Sequence, residues 1–486
     1  MNLLPSSPTS GTTPVSENEI SDAGPAQLDD AILRLSTILR RARNIKNSLS
    51  PINRFPPEIL AYIAPFLPTE RDLICSTAIC QHWRTVLLSS PRLWCHPSGP
   101  PSKIRAYIER SKSTPINVRL PSPELAELIA PHASRLAGLT VQLNGESHGF
   151  SQVIEHLPHP IPTLHSLRVI SDEPLDALEF PSDPKYTFCS HMKRLGIVGI
   201  LGFRECQTFP NITEFTMHMS FPWTIERFLN ILERFPVLER LFVTFHRRLS
   251  VDTNPKVVTL PHVQEMKISS FTDVEEAMQS SSILEYLQLP NLKSLSLQVP
   301  PKFVPPLPVF PIPSFGERFP TFAELPEVQV KLGTSVGEAT FRSPSQATLE
   351  YITGPFASYL LYEHWAWIKF PLLSIRRLIV DVVSPPSDDE VMWLLGLWGD
   401  LRHLEDLEIG GECGRALDML RDGSDPILSI QTLTLRHCGE YERVQALGLK
   451  RALDTAGRNV TLVCIPDPGA QEVTEAEVDI GGLGGE

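Results

Sequence analysis

A spaced apolar triplet, apolar-x-x-apolar-x-apolar, recurs along most of this chain and limits its fold more than any other feature. It occurs at Leu136-Leu139-Val141, Leu164-Leu167-Val169, Met192-Leu195-Ile197, Ile212-Phe215-Met217 and Leu238-Leu241-Val243. It returns at Val263-Met266-Ile268, Leu292-Leu295-Leu297, Ile375-Leu378-Val380, Leu404-Leu407-Ile409 and Ile430-Leu433-Leu435. The middle residues are separated by 28, 28, 20, 26, 25, 29, 83, 29 and 26 positions. All but one of these steps lie near the roughly 20–29-residue period of stacked strand repeats. The step of 83 is close to three periods, so one or two degenerate repeats are expected inside it.

The second and third apolar residues are two apart and therefore share one face of a short strand. The residue between them faces the other side: Arg168, Gly196, Thr216, Phe242, Lys267, Ser296, Ile379, Glu408 and Thr434. That outer face has no single charge sign. Looser stretches with helical spacing follow the strands, as over 224–232. One repeat cannot bury its own apolar face, so neighbours stack. The fold expected is α/β, an irregular leucine-rich-repeat-like solenoid over 103–465, irregular because the asparagine that often follows such strands is missing.

Proline is abundant, 46 of 486 residues, which argues against long uninterrupted helices. A cluster over 299–320 interleaves prolines with Phe303, Phe310, Phe315 and Phe319 and is read as an extended strap laid over the solenoid. Residues 1–27 are poor in apolar side chains and 466–486 carry acids and no base, so both are expected to be disordered tails. Between them, Leu28, Ile32, Leu35, Leu39, Ala42, Lys46 and Leu49 advance by alternating steps of 4 and 3, a heptad row beside Arg34, Arg40, Arg41 and Arg43. Residues 28–49 therefore form either a coiled-coil helix or an amphipathic helix packed on the next domain.

Residues 50–96 read as a three-helix unit. Pro56-Pro57-Glu58 suits a helix start, Ile59, Leu60, Ile63 and Leu67 supply an apolar stripe, and Pro65 and Pro68 end it. Thr69-Glu70-Arg71-Asp72 resembles a capping box, and Leu73, Cys80, Trp83 and Leu87 recur as if on one helical face. Such a unit is small for an independent core, and a partner on its apolar face would stabilise it.

Motifs of known chemistry are absent: no phosphate loop, HExxH, GxSxG or EF-hand loop occurs. The eight cysteines include no CxxC pair, and a reducing compartment, cytoplasm or nucleus, is expected. His156, His159 and His165 lack a carboxylate or thiol at ligand spacing, so no metal or other cofactor is expected. Gly196, Gly199 and Gly202 are read as turn glycines, Trp365, Trp367, Trp393 and Trp398 as core, and Arg247 and Arg248 beside His246 as a solvated loop. The net charge of −13 argues against a nucleic-acid partner, and no apolar run suits a membrane span or signal peptide.

The segment Pro51-Ile52-Asn53-Arg54-Phe55-Pro56-Pro57-Glu58-Ile59-Leu60 resembles the start of an F-box. Ile79-Cys80-Gln81-His82-Trp83-Arg84 resembles its Cys-x-x-Trp-Arg core, and Ser90-Pro91-Arg92-Leu93-Trp94 its closing motif. With the heptad helix before it and Glu109–Val118 after it, the chain resembles the F-box families of mushroom-forming fungi, whose remainder is a divergent leucine-rich-repeat-like region. The resemblance implies a non-catalytic, substrate-recruiting subunit of an SCF-type ubiquitin ligase, with a Skp-type adaptor, a cullin and a protein substrate as partners. It places the adaptor-facing residues at Pro57, Glu58, Ile59, Leu60, Ile63, Leu73 and Trp83, and has Leu93 and Trp94 close the core. The alternative is a repeat scaffold whose F-box-like unit does not engage the ligase.

Overall fold

The computed structural model describes residues 24–143, 149–157, 161–175, 178, 191–200, 209–221, 223–246, 249–250, 256–270, 283–298, 318–322, 327–332, 337–342, 348–353, 375–383, 401, 403–411, 414, 417–418, 430–436, 439–455 and 459–465. They form a mixed α/β protein with a helical N-terminal region and a mainly parallel sheet. The chain divides into two compact units, Met1–Pro97 with Ser102–Ile116, and Ser98–Pro101 with Asn117–Glu486.

In the first unit, helix α1 spans Pro25–Leu49 and buries none of its residues. The Gly24 N–H donates to Gln27 Oε1 at its start (3.3 Å), and Ser50-Pro51 ends it. The heptad helix therefore forms, but it does not pack on the following helices: Ile32, Leu35 and Leu39 are 57%, 53% and 51% exposed. Helices α2 (Pro57–Ile63), α3 (Glu70–Ser76) and α4 (Gln81–Leu88) follow. Pro57 stands in the first turn, where its missing N–H costs nothing. Thr69 and Asp72 form the expected reciprocal box: Asp72 N donates to Thr69 Oγ1 (3.2 Å) and Thr69 N to Asp72 Oδ2 (3.1 Å). Leu73, Cys80, Trp83 and Leu87 do not share one helix. Cys80 is extended, with φ −158°, and starts α4, so Leu73 meets the others across a turn.

Helix α5 (Pro101–Arg110) adds a second small core. Trp94 is fully buried, donates Nε1 to Leu87 O at 2.9 Å and meets Tyr107 edge-on, with centroids 5.0 Å apart. The Arg110 guanidinium lies 4.6 Å from the Trp94 ring centre. These contacts draw residues 102–116 into the helical unit, and the second unit resumes at Asn117.

The rest contains β1 (Ile116–Leu120), α6 (Ala126–Ile129), β2 (Leu136–Leu143), α7 (Gly149–His156), β3 (Ser166–Leu175), β4 (Arg194–Ile200) and β5 (Glu214–Met219). Then come β6 (Trp223–Thr224), α8 (Ile225–Leu232), β7 (Arg240–Phe245), β8 (Leu249–Ser250), β9 (Val258–Thr259), β10 (Glu265–Ser270), β11 (Leu287–Gln288) and β12 (Ser294–Gln298). The chain continues through β13 (Glu327–Leu332), β14 (Gly337–Arg342), β15 (Thr348–Thr353), β16 (Arg377–Val382), β17 (Asp406–Gly411), β18 (Thr432–Arg436), α9 (Glu440–Thr455) and β19 (Thr461–Ile465).

Among the described residues, fifteen strands make one sheet in the order β1-β2-β3-β4-β5-β7-β10-β12-β15-β14-β13-β16-β17-β18-β19. Every apolar triplet falls at a strand of this sheet. Leu139, Leu167, Leu195, Phe215, Leu241, Met266 and Leu295 are successive register partners, each at most 2% exposed. A backbone ladder runs ahead of the strands: the N–H groups of His165, Lys193, Thr213, Glu239, Gln264 and Lys293 donate to the carbonyls of Ala137, His165, Lys193, Thr213, Glu239 and Gln264 in turn. The equivalent position thus repeats from strand to strand, and the leucine row builds one continuous core.

The 83-residue step differs from expectation. It holds not degenerate parallel repeats but three strands in reversed order, with β14 antiparallel to both β13 and β15. Only residues 333–336 and 343–347 link them, too few for a parallel crossover. β15 then pairs parallel to β12, and β13 parallel to β16. Gly196 and Gly199 are strand residues of β4, not turn residues. Gly199 has φ +73°, and a Cβ there would collide with the Ser171 carbonyl where the β3–β4 register shifts. Residues 299–317 lie outside the described residues, but the chain is anchored just beyond them. Phe319 is fully buried, and Thr321 Oγ1 donates to Leu292 O at 2.5 Å.

Candidate functional site

The adaptor-facing residues expected from sequence divide into two groups. Leu60 is fully buried and Trp83 is 6% exposed; with Ala64, Val86 and Leu87 they make the core, against which Leu73 is half-buried. Pro57, Glu58, Ile59 and Ile63 are exposed. The helical repeat explains this split of α2. Leu60 and Ala64 point inward, while Ile59, Tyr62, Ile63 and Phe66 form a second apolar row on the outside, with Tyr62 and Phe66 69% and 73% exposed. Their rings meet edge-on at 5.6 Å.

Asn53 ties the core to the end of α1. Its Oδ1 accepts from Trp83 Nε1 at 2.7 Å, and its Nδ2 donates to Asn47 O at 2.7 Å. The indole is therefore satisfied where it is buried. On the other side of the unit, Lys103 Nζ lies 2.6 Å from Glu70 Oε2. Burial raises the Glu70 carboxyl, but the hydrogen bond from Lys103, the influence of the Tyr107 hydroxyl and the Lys103 charge outweigh it and hold the group below its ordinary 4.5. Burial, then the Glu70 hydrogen bond and charge, push the Tyr107 phenol well above its usual range.

In the sheet unit, the face opposite the leucine row carries ion pairs within the molecule. Arg240 Nη2 lies 2.8 Å from Glu214 Oε2. Further along, seven side chains close a ring. Arg342 donates to Glu327 (2.7 Å) and to Gln329 (2.8 Å), Arg377 donates to Glu327 (3.3 Å) and Glu408 (2.6 Å), and Gln329 donates to Asp381 (2.5 Å). Arg436 completes it, pairing with Glu408 and donating to Asp381 at 2.8 Å. Ile379, between Gln329 and Glu408 in register, sits inside the ring. It faces outward as expected, yet Ile379 and Glu408 are only 7% and 8% exposed within this ring. The Glu408 hydrogen bond raises the Arg377 guanidinium further, against the effect of burial.

No protein-family model matches this sequence, and no curated protein matches it either. Among the described residues, no three His, Cys, Asp or Glu side chains gather as a metal ion would require. His156 instead contacts Glu127 at 3.3 Å, His165 caps Thr163 O, and His159 lies outside the described residues. Arg247, Arg248, Trp365, Trp367, Trp393 and Trp398 also lie outside them. No helix among the described residues is long and apolar enough to cross a membrane.

The arrangement suits non-covalent recognition: a compact apolar patch on α2 and the turn after it, and a sheet face that carries a ring of paired charges. Sequence reasoning missed Tyr62 and Phe66, although their spacing with Ile59 and Ile63 was a readable second stripe. It also missed the Asn53–Trp83 bond, which spans 30 residues and leaves no local signal.

Proposed function

We propose that this chain is a substrate-recruiting F-box subunit of an SCF-type ubiquitin ligase. The helical unit binds a Skp-type adaptor, the adaptor hangs it on a cullin, and the outer face of a leucine-rich-repeat-like solenoid holds a protein substrate in the cytoplasm or nucleus. The chain performs no chemistry itself. It acts by proximity, raising the effective concentration of a substrate lysine near the conjugating machinery.

The observation that carries this reading is the two-sided α2. The F-box-like motifs supply its closed core of Leu60, Trp83 and Leu87, while Ile59, Tyr62, Ile63 and Phe66 stand outside on a unit too small to cover them. The contact surface is accordingly Pro57, Glu58, Ile59 and Ile63 with Tyr62 and Phe66. Leu60, Leu73 and Trp83 support it from behind.

The test is co-purification of the full chain with a Skp-type adaptor, wild type beside Ile59→Asp with Ile63→Asp. Adaptor and cullin recovered with the wild type and lost with the folded variant support the ligase reading. A folded wild type that recovers no adaptor leaves a repeat scaffold outside the ligase.

A further inference from the structure

Helix α1 offers a second apolar surface, and its charge pattern specifies what covers it. The helix is about 37 Å long at about 1.5 Å per residue, and none of its 25 residues is buried. Ile32, Leu35, Leu39 and Ile38, each more than half exposed, lie on one side. Its charges are polarised along the axis: Asp29 and Asp30 stand in the first turns, whereas Arg40, Arg41, Arg43 and Lys46 crowd the last three. We infer that α1 pairs antiparallel with α1 of a second copy of this chain, making the protein a dimer.

Register and charge select this occupant and this direction. Pairing Leu39 with Leu35 of the second copy also sets Ile32 against Ala42 and Lys46 against Leu28, while Ile38 meets its own equivalent beside the seam. Asp29 then flanks Arg43 of the other chain, twice by symmetry, and each acidic start lies along a basic end. A lysine opposite leucine can lay its stem on the seam and keep its ammonium in water. Parallel pairing in the same heptads would stack Lys46 on Lys46 and bring both basic ends together. The antiparallel arrangement also sets the two helix dipoles head to tail. The inference concerns α1 alone and stands whether or not the helical unit binds an adaptor.

The test is the mass of the full chain in solution by light scattering and sedimentation across a concentration series. The wild type is expected to be a dimer that dissociates on dilution, and Ile32→Asp with Leu39→Asp to be a monomer. Both positions are exposed within one chain, so the variant keeps the wild-type melting temperature. Asp29→Lys or Arg43→Glu alone is expected to weaken the dimer about tenfold, by turning two attractions into repulsions. The two combined restore it, because only antiparallel pairing brings these positions together. A monomeric wild type at high concentration, or a dimer untouched by Ile32→Asp with Leu39→Asp, overturns the inference. A charge swap that fails to restore the dimer overturns the antiparallel direction.

Discussion

In the helical unit apolar side chains face solvent along α1 and α2, whereas in the sheet unit they disappear strand after strand into one leucine row. Fifteen of the 21 exposed large apolar residues among the described ones lie between Ile32 and Ile79. Two of the remaining six, Val463 and Ile465, sit on β19 at the sheet edge. The difference follows from architecture. A repeat strand finds its covering surface in the next repeat of the same chain. A short helical unit runs out of neighbours and leaves its surplus apolar surface exposed.

The largest effect that sharpens this contrast comes from the helical core. Trp83→Ala removes a buried ring and its bond to Asn53, and should cost roughly 3–5 kcal/mol. Calorimetry of the full chain is expected to lose the helical unit's transition and keep that of the sheet; loss of both would break the two-unit account. Next is the polar ring. Glu408→Ala leaves Arg377 and Arg436 without their shared partner and should destabilise the sheet unit by roughly 1–3 kcal/mol, read by chemical denaturation.

Acid should separate the units in sequence. Burial, then the Arg168 charge and His246, hold His218 below its ordinary 6.5, and burial does the same to His246. The two rings stack across β5 and β7 with centroids 6.5 Å apart. Both are favoured neutral in the folded state, so the stability they contribute is present above 6.5 and lost as pH falls through their depressed values. Glu70 contributes stability present above 4.5 and lost as pH falls through its own depressed value. The sheet unit is therefore expected to soften first on acidification, and His218→Gln to flatten that step. Lys103→Met should flatten the later one in the helical unit. The smallest expected change is that of Ile59→Asp with Ile63→Asp on melting, about 0.5 kcal/mol or less per site, since both side chains already face water.

Much of this molecule was legible in the sequence because its strongest signals are periodic. The triplet Leu164-Leu167-Val169 and its nine counterparts marked a strand each time, since an apolar row two apart has few other uses. The strands at 327–353 were illegible as a group. Their apolar alternation resembles another repeat, and only the short links at 333–336 and 343–347 signal a reversal. β1 was missed although Ile116, Val118 and Leu120 alternate and are buried, and β19 was missed as a largely exposed edge strand. In the candidate site, the motif residues were found but not sorted. Leu60 and Ile59 are adjacent in sequence and equally apolar, and only the packing of α2 against α4 decides that one is core and the other surface. Glu408 and Ile379 show the converse: strand alternation placed them outward, and the ring of charged and amide side chains around them leaves them almost no exposure.

The central claim is that exposed residues of α2, not the buried motif residues beneath them, present this protein to a Skp-type adaptor. Titrating the adaptor into the full chain by calorimetry tests it most directly, comparing wild type with Ile59→Asp and Ile63→Asp combined, each checked for an unchanged melting curve. Saturable one-to-one binding by the wild type, reduced at least a hundredfold in the folded variant, is the predicted result. No heat of binding from the folded wild type, or equal binding by the variant, would contradict it.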